Sequence, residues 1–397
     1  MTRTTVIVGG GVFGLTAALE LRARGYDVRL FDPGPLPHPR AASTDISKVI
    51  RMEYGPDETY MALMEEARRG WLAWNEEWMT EGVDRIYHET GVLMICRAPM
   101  GGGGFEHESW RMLLRRGHAP ERLEAPAIAE RFPAWSTGLY LDGFFHAKGG
   151  YAESGRVVEA LVRKAAAAGV AIHANEKIVS LIERGGRVVG VETSEGERIE
   201  ADEVLVAAGA WTAKLLTHLA ASIRPTGHPV FHLRPARPEM FEPQRFPVFT
   251  ADVGRTGYYG FPLNRDGVVK IANHGPGTPI DPDAPRAIAE RDEEDLREFL
   301  AATFPVLADA PIVYTRLCLY ADTRDEDFWI APDPDRPGLT VAGGGSGHGF
   351  KFAPVLGTII ADAMERRENP WLSKFRWRPE VVLRQGREAA RCHSRDG

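Results

Sequence analysis

The segment Thr5–Asp32, TVIVGGGVFGLTAALELRARGYDVRLFD, restricts the fold more than any other part of this chain. An apolar run (Val6, Ile7, Val8) leads into Gly9-x-Gly11-x-x-Gly14. A helical segment follows, and a second apolar run ends at Asp32. Strand, glycine turn, helix, strand and acid in this order are what holding the ADP half of a dinucleotide requires. Gly9 permits the tight turn, Gly11 lets the backbone approach a pyrophosphate, and Gly14 lets helix and strand pack closely. The helix N-terminus then turns its unbonded N–H groups and positive dipole end toward the phosphates. Asp32 lies 23 residues after Gly9, where it would accept hydrogen bonds from a ribose. By itself the motif suits NAD and FAD equally.

With 397 residues the chain has room for two domains and a large core. A formal charge of -7 and the lack of a long basic run argue against nucleic acid as a main partner. No apolar stretch approaches the roughly 18 residues of a membrane span. The first strand begins at about Thr4, which leaves no room for a signal peptide. Cys96, Cys318 and Cys392 are too few and too scattered for a disulfide framework or a zinc site. A cytoplasmic location is therefore expected, with no membrane association and no metal.

Further along, Asp57 to about Thr80 has a helical pattern, with Met61, Met64, Ala67, Trp71 and Trp74 at intervals of three and four. Gly101–Gly104 is a run that neither helix nor strand favours, so a mobile loop tip is expected. Arg156–Ala168 reads as a helix. KIVSLIER and RVVGVETSEG read as a hairpin turning at Gly185-Gly186. Two later strands also end in small residues, DEVLVAAGAW (202–211) and LTVAGGGSGHGFK (339–351), the second running into a helix from Pro354 to about Arg366. Three such strand ends, near residues 8, 208 and 342, would converge on one extended ligand. Residues 86–149 and 216–319 would then form a second domain over it. The polar end of the chain, from Gly386, is expected to fray.

Four constellations carry chemistry. In Tyr258–His274, YYGFPLNRDGVVKIANH, the turn Asn264–Gly267 joins two strands, and Lys270, Ala272 and His274 share one face. Lys270 is either solvated on a wet face or is a cation held beside a redox ring, because burying an unpaired ammonium is costly. Around His348, Gly345-Ser-Gly-His-Gly-Phe-Lys351 brings backbone close to a ligand. Lys351 there either reaches solvent or meets an anion. Cys318, in TRLCLYADTRDEDFWI, is inert core packing on local grounds. In Asp45-Ile-Ser-Lys48-Val-Ile-Arg51, Arg51 either clamps a carboxylate or belongs to a surface charge pair.

Taken together, these segments resemble the flavin-dependent amine oxidases of the D-amino-acid-oxidase superfamily. The likeness is strongest to the group of monomeric sarcosine oxidase, N-methyltryptophan oxidase and the fructosyl-amino-acid oxidases (amadoriases). It runs from Thr4 to about Pro370, and its most specific motifs are CLYADTRDEDFWI and GGGSGHGFKF. The fold it implies is an α/β two-domain flavoprotein with a Rossmann-like FAD-binding domain and a mixed-sheet substrate domain. Their expected extents are 1–85, 150–215 and 320–385 for the first, and 86–149 and 216–319 for the second, with 386–397 a flexible tail.

The resemblance implies FAD attached covalently through Cys318. FAD contacts are expected from Gly9, Gly11, Val12, Phe13, Gly14, Asp32, Ser43, Thr44 and Lys48. Further along they come from Ile178, Gly209, Trp211, Gly345, Gly347, His348, Gly349 and Lys351. It implies that Lys270 is the site of oxygen activation and that Lys48, Tyr259 and His274 share the catalytic cavity. Arg51 and Lys351 would bind a substrate carboxylate, with Asp45 and Tyr259 beside it. The expected reaction is oxidation of a secondary amine of an N-substituted amino acid, with O2 reduced to H2O2. Asp45-x-x-Lys48 looks more like the amadoriases, whereas Arg51 looks more like the sarcosine oxidases. Fructosyl amino acid oxidation is therefore a second expectation, and a flavin-binding subunit of an electron-transfer dehydrogenase a third. The expected partners are a small amine and O2, in a monomer or small homo-oligomer.

Overall fold

The computed structural model describes residues 2–379 and 388–393. Its centre is a six-stranded sheet in the order Trp329–Pro332, Leu339–Gly343, Glu203–Val206, Thr4–Val8, Asp27–Asp32, Ala171–Ala174. All neighbours are parallel except Trp329–Pro332, which runs antiparallel at the edge. Val6, Ile7, Val204, Leu205 and Val206 are fully buried, as strands covered on both faces must be. The helix Val12–Ala23 packs on this sheet and against the helix Ala353–Glu365. The two helices come so close that a Cβ on Gly357 would lie 2.4 Å from the Thr16 carbonyl oxygen.

The expected helices and hairpins form with boundaries shifted by a residue or two. Glu58–Thr80 is helical because Asp57 caps it, accepting from the Tyr60 N–H at 3.0 Å, and because Met61, Met64, Ala67 and Trp71 bury one stripe. Ser154–Ala167 is helical, and Ile178–Arg184 pairs antiparallel with Arg187–Thr193. Gly185 and Gly186 take positive φ in that turn. Gly101–Gly104 is an exposed turn.

A second, nine-stranded sheet is mixed. Its order is Thr278–Pro279, Ile223–Leu233, Val269–Asn273, Tyr258–Phe261, Val248–Ala251, Val92–Cys96, Asp142–His146, Glu121–Glu124, with Ile312–Thr323 also paired to Ile223–Leu233. Only Val92–Cys96 and Val248–Ala251 pair in parallel. The two sheets have separate apolar cores. One is built around Leu15, Trp71, Leu161 and Leu356, the other around Trp135, Phe231, Phe249 and Phe304. No helix among the described residues is long and apolar enough to cross a membrane.

The end of the chain departs from expectation. Gly386 and Arg387 lie outside the described residues, but Glu388, Ala390, Arg391 and Cys392 are buried rather than frayed. Arg391 bonds Asp322 at 2.7 and 3.0 Å and Glu326 at 3.1 Å, and the Cys392 N–H donates to the His274 carbonyl. Polar composition suggested a solvated tail, but these charges are paired inside the protein.

Candidate active site

Three parallel strands, Thr4–Val8, Glu203–Val206 and Leu339–Gly343, end side by side, as the three small-residue strand ends required. Gly9 has φ +111°, and a Cβ there would lie 2.5 Å from the Ala207 carbonyl oxygen. A Cβ on Gly14 would lie 1.9 Å from the Gly9 carbonyl oxygen. Neither position admits a side chain, so the turn and the helix it starts are held against the sheet. A Cβ on Gly11 would meet only Ser43 Oγ, at 3.2 Å, which leaves its backbone facing a groove.

Asp32 is buried at the groove's edge. One carboxylate oxygen accepts from the Gly10 N–H at 2.8 Å and the other from the Gly34 N–H at 3.1 Å. Burial raises its pKa despite these two bonds. Each oxygen retains capacity to accept further bonds. Ser43 Oγ accepts from the Val12 N–H, the first amide of the helix, at 3.1 Å.

The groove has a volume of about 400 Å³. Gly9, Gly11, Val12, Phe13, Asp32, Ser43 and Lys48 line one side, and Ile178, Gly209, Trp211, Gly345, Gly347 and Gly349 the other. Gly14 lies behind the wall as a packing residue. Thr44, Cys318, His348 and Lys351 are outside the wall. Bare backbone at a helix N-terminus, an acid beside it and a long lined trough fit an extended dinucleotide such as FAD.

A smaller chamber of about 60 Å³ adjoins this groove, sharing Lys48, Tyr320, Gly347 and Phe350 with it. Its other walls include Arg51, Tyr259, His274, His348, Lys351 and Glu388. Arg51 follows the short strand Lys48–Ile50, and His274 follows the hairpin strand Val269–Asn273 that pairs with Tyr258–Phe261. Residues 223 positions apart thus line one chamber, because the second sheet's hairpin and the short strand Lys48–Ile50 both border it.

Lys351, His348 and Tyr54 form a chain. Lys351 Nζ donates to Tyr54 Oη at 3.0 Å, and Tyr54 Oη lies 3.0 Å from His348 Nδ1. His348 Nε2 lies 3.0 Å from the Glu326 carbonyl oxygen, which can only accept. Nε2 therefore carries the proton, Nδ1 accepts from Tyr54, and the imidazole is neutral. Burial agrees, pushing the His348 pKa down to about 3. Lys351 is also buried, and desolvation followed by the neighbouring Arg51 charge lowers its pKa well below that of a free lysine. No carboxylate among the described residues lies within ion-pair distance of its Nζ.

Arg51 is buried and makes one ion pair, with Glu388 at 3.3 Å. Its Nη1 has no hydrogen-bond partner among the described residues. Its guanidinium lies over the Tyr54 ring at 5.2 Å and the Phe105 ring at 5.6 Å. The other Glu388 carboxylate oxygen lies 2.7 Å from His274 Nε2. Tyr259 packs against the cluster that holds Tyr320, whose ring stacks on His228 at 3.8 Å.

Lys270 is 1% exposed, so it is not on a wet face. Its Nζ donates to Asp45 Oδ2 at 2.6 Å and to the Ser47 carbonyl at 2.5 Å, and sits 4.6 Å above the Phe261 ring. Burial drives its pKa down to about 8 against the pull of Asp45. Burial would raise the Asp45 carboxyl, yet Lys270, His232 and Lys48 hold it well below the usual carboxylate range. Asp45 is thus the counter-ion of Lys270 and stands outside the chamber wall. Lys48 Nζ lies 3.8 Å from both Asp45 and Cys318 Sγ. Cys318 is buried in an apolar cluster with Val230, Ala272 and Tyr320, immediately before the groove-lining Leu319. Thr44 contributes its carbonyl to Arg316.

Sequence reasoning missed Tyr54, Tyr320, Glu326 and Glu388. Tyr320 was discoverable, because it shares a strand face with Cys318 two residues earlier. Tyr54, three residues after Arg51, had no local signal. Glu326 and Glu388 join the site only through long-range packing.

Comparison with known proteins bears on this geometry. A family model for FAD dependent oxidoreductases matches residues 4–363. Monomeric sarcosine oxidase from Bacillus sp. (strain B-0618) is 28% identical over 361 residues, covering 90% of both chains. N-methyl-L-tryptophan oxidase from Salmonella enteritidis PT4 is 30% identical over 379 residues, covering 94% of this chain and 97% of the other. Among solved structures, fructosyl amine: oxygen oxidoreductase (Amadoriase I) from Aspergillus fumigatus has a TM-score of 0.81 at 26% identity, covering 96% and 90%. Fructosamine oxidase (Amadoriase II) from the same organism also has a TM-score of 0.81 at 26% identity, covering 99% and 94%.

Proposed function

The chain belongs to the FAD-dependent oxidoreductase family, and from that premise we propose that it oxidises the secondary amine of an N-substituted amino acid. The amine loses two hydrogens to give an imine, which water hydrolyses, and O2 takes up the two hydrogens as H2O2. The carrying observation is the buried pair of basic side chains, Arg51 and Lys351, facing a small chamber beside the dinucleotide groove. Bound in that groove, FAD supplies a two-electron acceptor that O2 can reoxidise.

The residues of the chain then have separate tasks. Arg51 offers Nη1, which has no partner among the described residues, to a carboxylate whose charge would in turn favour protonation of Lys351 beside it, and this pairing fixes the substrate's reacting bond. Neutral His348 holds Tyr54 Oη, which in turn orients Lys351. Burial and the Arg51 charge, which depress the pKa of Lys351 in the same place, favour an uncharged substrate amine as well. Lys270, charged and fixed by Asp45, stabilises negative charge developing on oxygen. Cys318 is the attachment site of the flavin, supported by its Sγ lying 3.8 Å from the Nζ of Lys48, which lines both groove and chamber. The two separate cores support division into an FAD-binding and a substrate domain along the boundaries expected from the sequence.

Steady-state assays with sarcosine, N-methyl amino acids, pipecolate and fructosyl-glycine, with peroxide detection, test the proposal. Turnover of N-alkyl amino acids with one peroxide per amine is expected, and inactivity on all of them would sink it. Fructosyl amino acid oxidation is the second reading, favoured by the likeness to the two amadoriase structures and by the Asp45–Lys48 pair. Electron transfer to a partner protein without peroxide would require O2 to be excluded despite Lys270. We further propose a cytoplasmic monomer or small homo-oligomer, which sedimentation of the native protein would check.

A further inference from the structure

The chamber contains a carboxylate of the protein's own. Glu388 sits between Arg51 Nη2 (3.3 Å) and His274 Nε2 (2.7 Å), and it is 7% exposed. Ala390, two residues on, forms another part of the chamber wall. The Glu388 carboxylate thus stands where Arg51 would meet the carboxylate of a substrate.

Arg378 grips Asp325 with two bonds of 2.7 Å, and the Glu388 N–H donates to Glu326 Oε2 at 3.0 Å, so both residues are fastened to neighbours in one acidic turn. Arg391 is held behind the chamber by Asp322 and Glu326, and its Nε donates to the Gly275 carbonyl at 3.1 Å. These anchors are polar and lie outside the chamber. Inside it, the segment contributes one carboxylate and one methyl group. Arg51 Nη1 has no hydrogen-bond partner among the described residues, and Glu388 takes only Nη2.

We propose that residues 388–393 are a strap whose Glu388 carboxylate competes with the substrate carboxylate for Arg51, so that an amino acid binds only by displacing it. The resting enzyme is then self-occupied, and Glu388 sets the apparent affinity for every acidic substrate. This inference rests on the carboxylate-clamp half of the functional proposal and not on the oxidation itself.

The test uses the holoenzyme with acetate and propanoate, which cannot be oxidised as amines. Calorimetric titration of Glu388→Gln should give a dissociation constant for acetate at least tenfold lower than wild type. Hydrogen exchange on the wild-type holoenzyme should show faster exchange in peptides covering 388–393 when propanoate saturates the site, because the Glu388 and Cys392 amide bonds open. Arg391→Gln, which loosens the anchor and keeps the competing charge, should also tighten acetate binding. Unchanged or weaker acetate binding by Glu388→Gln overturns the proposal, and so does exchange at 388–393 that does not rise. An enzyme that oxidises no amine but gives these carboxylate responses keeps the strap and loses the reaction, so the two failures are separable.

Discussion

Lys270 combines burial with a charge requirement, and its chemistry is readable from that conflict. Its pKa of about 8 lies below that of a free lysine, so its charge is present at neutral pH and lost as pH rises through 8. The groups around it are Asp45, Lys48 and His232, with Cys318 beyond. The rate constant for reaction of the reduced enzyme with O2, followed by stopped flow, should fall as pH rises through about 8. In Lys270→Met it should be roughly 10²–10³-fold lower and flat across that range, which is the effect expected on losing a preorganised charge. At Arg51 the expected signature differs. Arg51→Gln should raise KM for the amino acid more than it lowers kcat, since it removes a contact made equally before and during reaction. Tyr54→Phe leaves both Lys351 and His348 without their shared partner, and should cost about 1–3 kcal/mol of stability in a denaturant titration.

At the scale of elements, the Gly345–Lys351 turn does several jobs with few side chains. Gly347 has φ +81°, and a Cβ there would lie 2.2 Å from the Tyr320 ring. Ser346 Oγ lies 3.2 Å from the Thr323 N–H, which donates to it and ties the turn to the neighbouring strand. The turn therefore places His348 and Lys351 relative to Tyr320 by contact rather than by tether. Gly347→Ala should displace Tyr320 from its stack on His228 and from both cavities that it lines. Loss of flavin absorbance and a lowered melting temperature in the purified variant would register that displacement. The acidic stretch Asp322–Asp327 works similarly. Asp325 takes Arg378, whereas Asp322 and Glu326 take Arg391, so one stretch fastens two arginines from the end of the chain.

Across the whole molecule, the groove is assembled from three distant stretches of one sheet, and the strand Ile312–Thr323 carries Cys318 from the second sheet to its edge. A ligand spanning that assembly must stabilise it. If Cys318 is the covalent link, acid-denatured wild type keeps its yellow chromophore and Cys318→Ala releases it. The Cys318→Ala apoprotein should then melt at a temperature that rises with added FAD, corresponding to a stabilisation of about 2.7 kcal/mol at a hundredfold excess over Kd. A wild type that gives up free FAD in acid would remove Cys318 from that role while leaving the groove as described.

The sequence by itself determined the dinucleotide turn, the three converging strand ends and the side-chain types of the cavity. Glycine turns and alternating strands obey local steric rules, so residues 5–32 and 258–274 were legible without neighbours. Sequence also marked Lys270 as unusual, but not what surrounds it, and Cys318 gained a role only through the family resemblance. The partners were decided by tertiary structure alone. Asp45 and Lys270 are 225 residues apart, Tyr54 and Lys351 297, and Arg51 and Glu388 337. No local pattern records such pairings, because a buried charge is stabilised by whatever the fold brings within reach. That is why Asp45, expected beside the substrate, pairs with Lys270, and why a polar end of the chain, expected in solvent, lies in the wall of the candidate active site.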